Sequence, residues 1–329
     1  MTNRFGERFR IEIYGASHAP ALRVRIEGTP ERMALSEADF TADLERRRSG
    51  RRGTTPRKES DTPHLVSGIS DGLTDGSMLE IAFYNENTRS TDYEMFRCHP
   101  RPSHVDLVAR RKYGEEFDLR GGGPFSGRMT LPMVAAGVVA KRILGENVRF
   151  TTSIIEIGGE RDCTKFDEVV EAAMRDGDSV GGIIECRISG IECGVGEPMF
   201  DSVESVSSHL LFSIPAVKGV EFGSGFAGVS LRGSERNDAI IDADGKTRTN
   251  NEGGINGGIA NGNDIVVRVA IKPTPTISCE QQTYNFESQK VESLYAKGRH
   301  DACIALRAGV VVEAAMAIAL ADLTLQKSK

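Results

Sequence analysis

The chain has 329 residues, is 39% hydrophobic and 27% charged, and carries a formal net charge of −6. This composition excludes a disordered chain and argues against a nucleic-acid partner. With no run approaching ~18 apolar residues, no membrane partner is expected. Six scattered cysteines with no CxxC pair exclude a zinc ribbon and argue against a disulfide scaffold. Met1–Gly6 has no apolar segment of the signal-peptide kind, so a cytoplasmic protein is expected. No HxxxH or HExxH pattern points to a metal.

Residues 9–14 alternate and predict a strand ending at Gly15-Ala16-Ser17-His18, and 21–27 predict a second. Gly28-Thr29-Pro30 is a turn. Ser36, with Asp39 three residues on, predicts the cap of a helix reaching Arg47 or Arg48. Seven basic residues then fall between Arg46 and Lys58, six of them arginine. Their planar forks suit carboxylate and phosphate, and in an acidic chain they suggest a small polyanion, although a solvated face is the competing reading. Strands are expected at 63–68 and 78–84. A long polar loop follows from Asn85 to about Ser103, and further basic residues include Arg97, Arg101, Arg110, Arg120 and Arg128.

Gly121-Gly122-Gly123-Pro124 precedes a predicted helix, Met129–Leu144, that is apolar on every face over 131–140. Val310–Leu325 is similar, with only Glu313 and Asp322 charged. Helices apolar all round are buried on all sides, so the pair predicts a central helical layer with sheets outside it. A strand–Gly–Pro–helix order at 21–47 returns weakly at 182–212, which suggests pseudo-symmetric halves within one domain spanning 1–329. Gly223 to Gly228 spells GxGxxG, but Val229–Gly233 alternates like a strand where a dinucleotide site needs a helix. Gly68 to Gly72 spells GxSxG and continues as a turn, not as a nucleophile elbow. A predicted strand, Ile265–Ile271, leads into Lys272-Pro273-Thr274-Pro275-Thr276, a stiff loop with one cation and two hydroxyls. His18, His104 and His300 each sit in a loop beside Ser or Arg.

Taken in order, these blocks resemble the chorismate synthase family along nearly the whole chain. The matching stretches are Gly15–His18, Arg46–Gly50, Asn85–Tyr93, Arg101–Asp106, Lys112–Gly114, Arg120–Gly123, Val134–Gly137, Ala216–Glu221, Gly253–Gly262, Lys272–Thr276 and Gly298–Asp301. The resemblance implies an α+β fold, a β-α-β sandwich with an internal pseudo-two-fold, assembled as a homotetramer. It implies a carbon–oxygen lyase that eliminates phosphate from 5-enolpyruvylshikimate 3-phosphate in a 1,4-anti sense. The family requires reduced FMN without net redox change, and NADPH is the candidate external reductant. By the same resemblance His18 protonates the leaving phosphate, His104 protonates the reduced flavin, and Asp301 helps to remove the substrate proton. Arg47, Arg128 and Arg299 contact substrate, Arg299 also contacting flavin. Pro215, Ala216, Gly257 and Lys272 to Thr276 fall at flavin-contacting positions, as does the loop of Pro124, Phe125 and Ser126.

That last loop departs from the family pattern. Pro124 and Phe125 stand where the family usually has an arginine and a serine, and weaker FMN binding is the expectation. Two alternatives follow from the departure: a paralogue acting on another small polyanion, or a non-catalytic oligomer.

Overall fold

The computed structural model describes residues 3–56, 59–86, 95–296 and 300–327. Its first half runs β1 (Arg4–Phe5), β2 (Arg10–Tyr14), β3 (Ala21–Glu27), α1 (Thr41–Arg47), β4 (His64–Ser67), β5 (Ile69–Ser70), β6 (Leu73–Thr74), β7 (Leu79–Tyr84), α2 (Asp106–Tyr113) and α3 (Thr130–Leu144). The second runs β8 (Arg149–Ile157), α4 (Phe166–Arg175), β9 (Gly182–Ser189), α5 (Val203–Ser213), β10 (Val217–Phe222), α6 (Gly233–Arg236), β11 (Ile255–Asn256), β12 (Ile259–Ala260), β13 (Ile265–Ile271), β14 (Gln281–Asn285), β15 (Lys290–Leu294) and α7 (Ala305–Lys327).

Two large antiparallel sheets result, in the orders β1-β2-β3-β7-β4 and β10-β13-β9-β8, beside the two-stranded pairs β5-β6, β11-β12 and β14-β15. Period-two patterning fixes their inner faces. On β3, Leu22, Val24 and Ile26 are fully buried, while Arg23 and Arg25 turn outward and pair with Glu80 of β7. The first sheet packs on α3 and the second on α7, with α1 and α5 in the same helical layer. One apolar core runs through both sheets and this layer. The helices α3 and α7 approach closely because a Cβ at Gly137 would stand only 2.4 Å from that of Ala314. The two buried carboxylates of α7 are both satisfied. Glu313 accepts hydrogen bonds from Arg46, Lys141 and Thr152. Asp322 accepts the backbone N–H groups of Glu7, Arg8 and Phe9. By length and composition α7 could cross a bilayer, but 83% of its apolar window is buried inside the protein.

The internal echo is real. Reading β2-β3-α1-β4-β7-α3 against β8-β9-α5-β10-β13-α7 gives the same chain order, and the sheet orders β2-β3-β7-β4 and β8-β9-β13-β10 match. Some details differ from expectation. Residues 37–40 form a 3₁₀ turn that runs into α1, still capped by Ser36 and Asp39. The last helix starts at Ala305 rather than Val310. Val229–Gly233 is not a strand: Gly225–Ser230 coils as a 3₁₀ turn and α6 begins at Gly233. Val229 is 85% exposed, with no neighbouring strand to complete a ladder. The GxSxG stretch lies in the β5–β6 hairpin.

Candidate active site

A cavity of about 1070 Å³ opens where corresponding loops of the two halves meet. The end of α1 gives it Arg47 and Arg48, and the end of α5 gives it Leu210, Phe212 and Ser213. The β7–α3 loop contributes Arg101, His104 and residues 121–129 except Gly123. The β13–α7 loop contributes Lys272, Thr274, Pro275, Thr276, His300 and Asp301.

Arg47 is 3% exposed and spreads its guanidinium over three partners. Nε donates to Thr130 Oγ1 at 3.0 Å, Nη2 to the Gly127 carbonyl at 3.1 Å and Nη1 to Asp61 Oδ2 at 3.3 Å. Arg128 Nη1 meets the other oxygen of Asp61 at 2.5 Å, and its Nη2 donates to Asn85 Oδ1 at 2.8 Å. One buried carboxylate thus holds two arginines and leaves a net positive charge at the wall. Burial pushes the Arg47 guanidinium down to about 9, against the opposing attraction of Asp61. Asp61 sits at φ 49°, a left-handed conformation that aspartate tolerates better than most residues.

Across the cavity, His104 Nδ1 lies 2.7 Å from Asp106 Oδ1, and Arg101 grips the same carboxylate with Nε and Nη2, each at 2.8 Å. Burial lowers the His104 imidazole below its ordinary value, with Asp106 opposing the shift. Arg101 and His104 hold the Asp106 carboxyl far below the usual carboxylate range, although burial pulls the other way. Arg101 Nη1 also donates to Thr276 Oγ1 at 3.1 Å, which ties this group to the Lys272–Thr276 loop. Lys272 Nζ donates to the Ser103 carbonyl at 2.9 Å, and burial and neighbouring Lys218 push its amine down. Ala216, also at the wall, has φ 77°, a strained value for a residue with a Cβ. Asp301 accepts both Nε and Nη2 of Arg307, at 3.0 and 2.8 Å, and the Thr55 N–H at 3.0 Å.

The glycine loop explains itself by contact. Gly121, Gly122 and Gly123 have φ of 61°, 83° and 53°. A Cβ at Gly121 would stand 2.6 Å from Ser17 Oγ and 2.8 Å from the His18 ring, so only glycine fits. Ser17 and Gly121 line the cavity. His18 itself does not, and its ring packs against the Gly121 backbone. Pro124, Phe125 and Ser126 line the wall. Phe125 lies 6.3 Å from the Tyr113 ring and 6.4 Å from Phe117, while Ser126 Oγ caps the next turn by accepting from Arg128 N at 3.2 Å.

The cavity therefore collects Arg47, Arg128, His104, Asp301, Pro124, Phe125, Ser126, Pro215, Ala216, Lys272, Thr274, Pro275 and Thr276. Two other expected residues are not brought there within this chain. Gly257 lies exposed in the β11–β12 turn, which neighbouring Gly258 seats against Ser202 at the start of α5, whereas α5 meets the cavity at its other end. Pro273 turns away and packs beside Gly181. Arg299 lies outside the described residues. Of the basic run, only Arg47 and Arg48 among the described residues reach the cavity; Arg46 turns to Glu313 instead. Sequence reading missed Asp61, Asp106 and Arg307. Asp106 closes the Arg101–Asp106 stretch and could have been read with it. Asp61 stands near Glu59 in a polar loop and carries no signal of its own.

The family model of chorismate synthase matches residues 9–325. The chain belongs to the chorismate synthase family. It is 52% identical to the chorismate synthase of Chitinophaga pinensis, over 99% of this chain and 98% of that one. It is 43% identical to the chorismate synthase of Crocosphaera subtropica, over 98% and 96%. A crystal structure of chorismate synthase superposes with a TM-score of 0.75 at 26% identity, covering 98% of this chain and 93% of the other.

Proposed function

We propose that this chain is a carbon–oxygen lyase that converts 5-enolpyruvylshikimate 3-phosphate to chorismate and phosphate by 1,4-anti elimination, with reduced FMN required and no net redox change. The observation that carries the reading is the single cavity that gathers Arg47, Arg128, His104, Asp301 and the Lys272 loop from distant parts of the chain. Among its described lining residues are eight lysines and arginines against three carboxylates. That excess suits a substrate with two carboxylates and a phosphate, because preorganised cations stabilise charge that grows on a departing group.

The cavity also suits FMN. Its volume of about 1070 Å³ lies at the top of the ~300–1,000 Å³ range usual for ligand pockets. Thr274 Oγ1 and Arg128 Nε line it, buried and without a hydrogen-bond partner among the described residues. Lys272, Thr274 and Thr276 would hold its phosphate-bearing part, with Pro215, Ala216 and the Pro124–Ser126 loop against the rest. When bound, reduced FMN supplies electron density to the breaking carbon–oxygen bond. Arg47 and Arg128 bind the substrate anions. His104 passes a proton through Nε2, Asp301 helps to take the substrate proton, and His18, packed against the Gly121 backbone beside the cavity wall, is the donor to the leaving phosphate. NADPH is the external reductant. Met199, Phe200, Phe226, Val229 and Ile240, each at least 72% exposed, support burial in a homotetramer. The shared core supports one domain over 1–329, and the six free cysteines support a reducing cytoplasm.

Anaerobic mixing of the protein with reduced FMN and 5-enolpyruvylshikimate 3-phosphate tests this. Chorismate and phosphate should appear in equal amounts and the flavin should end reduced. Binding of both ligands without phosphate release overturns the reading.

A further inference from the structure

We infer that Asp106, clamped by Arg101, is a positioning residue that fixes His104 with its proton on Nδ1 and its lone pair on Nε2, so that Nε2 is the atom that exchanges protons in the cavity. The inference rests on the proposed lyase reading for the proton's purpose, but not for the geometry.

His104 Nδ1 is 2.7 Å from Asp106 Oδ1 and 3.0 Å from Arg101 Nη2. If Nδ1 carried a lone pair and accepted from Arg101, two lone pairs would face each other across 2.7 Å. With the proton on Nδ1, the guanidinium and the imidazole both donate to one oxygen, and their mutual 3.0 Å contact follows from that convergence. Asp106 itself has little freedom. It is 2% exposed and takes the Arg101 backbone N–H at 3.0 Å as well as the Arg101 fork. Arg101 is fixed in turn by Thr276 and by the Phe96 ring, whose centroid lies 4.3 Å from its Cζ. His104 lines the cavity, and with Nδ1 committed the ring nitrogen left for a ligand is Nε2.

The chemistry follows from this arrangement. A proton taken at Nε2 makes an imidazolium whose charge faces the Asp106 carboxylate, so the charged form is supported from behind while the ring stays in place. The charged groups acting on the ring are Asp106, which favours imidazolium, and Arg101 and Lys272, which oppose it. A bound anion in the cavity would add to Asp106. Because Arg101 also holds Thr276, the same guanidinium sets the ring's register relative to the Lys272–Thr276 loop.

The test is the 15N solid-state spectrum of histidine-labelled full-length protein, with His104 assigned by His104→Gln, in the unmodified chain, Asp106→Asn and Arg101→Lys. The unmodified chain should show His104 as the Nδ1–H tautomer. Asp106→Asn should raise the Nε2–H tautomer, lower kcat by about 10²-fold with little change in substrate KM, and move the limb of the pH–rate profile that reports His104 toward lower pH. Arg101→Lys should retain Nδ1–H with a broader signal. A purely structural Asp106 would lower activity evenly across pH and leave the tautomer alone. An Nε2–H tautomer in the unmodified chain, or a spectrum unmoved by Asp106→Asn, overturns the inference. If Asp106→Asn does not fold, the spectrum of the unmodified chain decides alone. If the unmodified chain has no lyase activity, the functional reading fails while the spectra still decide the tautomer.

Discussion

The two halves of the molecule share a topology and divide the work. At the end of α1 the chain places Arg47 and Arg48 at the cavity and then spends 16 residues reaching β4, dropping Asp61 between the arginines on the way. At the matching end of α5 it places Leu210, Phe212 and Ser213 and reaches β10 in three residues. In this pair of links the first half brings charge on a long loop and the second an apolar wall on a short one, while Lys272 and Asp301 enter from the second half's β13–α7 loop. A repeated scaffold thus supports an asymmetric site, because the sheets and helices fix where the loops end while loop length and residue type decide what they carry.

Substitutions on the two sides should separate these contributions. Asp61→Asn is expected to have the largest effect. It leaves Arg47 and Arg128 buried without their shared carboxylate and should cost ~3–5 kcal/mol in chemical denaturation. Added phosphate should restore part of that loss by standing in as the counter-ion. Ile214→Ala, in the corresponding link of the second half, should cost ~2–4 kcal/mol through lost packing, with no special response to phosphate. Equal phosphate responses in the two variants would show that the halves are not divided in this way.

Acid should act next, and mainly through the β7–α3 loop. The folded His104 binds its proton less readily than the unfolded residue, so its contribution to stability is complete above the ordinary 6.5 and is eroded as pH falls below that value. The folded Asp106 stays ionised, so its contribution holds above the ordinary 3.8 and is lost as pH falls further. Acid unfolding followed by circular dichroism should therefore begin below 6.5 and steepen below 3.8, and His104→Gln should remove the earlier part. Smallest is the altered glycine loop. Pro124→Arg with Phe125→Ser should tighten FMN by roughly tenfold, ~1.4 kcal/mol, by titration with substrate present. Equal affinities would show that Pro124 and Phe125 do not govern flavin binding.

The scaffold was legible because its signals are local or periodic. The alternation of 21–27 and the strand expected at 265–271 match β3 and β13 to the residue, and the all-round apolar stretches fall in the two central helices. The strand–helix echo marked the repeat, since β3–α1 and β9–α5 do correspond. Val229–Gly233 misled because alternation without a neighbouring strand makes no ladder. The site was legible only where residues line the cavity. Asp61, Arg307 and the Asp106 clamp act on other side chains, and that is a property of the folded arrangement rather than of any window of sequence. Gly257 lies away from the cavity within one chain, since a glycine pair marks a turn wherever the turn happens to lie.

The helix on which both layers depend follows every described strand in the chain. Until α7 emerges, the inner face of the second sheet lacks the helix that packs on β8 and β9, and α3 lacks the neighbour that fits Gly137. Nor can the turn at Glu7 to Phe9 close, since its three N–H groups wait for Asp322, more than 300 positions away. Glu7–Phe9 and Asp322 meet only once α7 has been made, and so the nascent chain carries the second sheet with much of its apolar inner face uncovered. Folding should be slow and governed by long-range closure, and loss of the final turns of α7 should unfasten the first strands of the protein rather than merely fray its end.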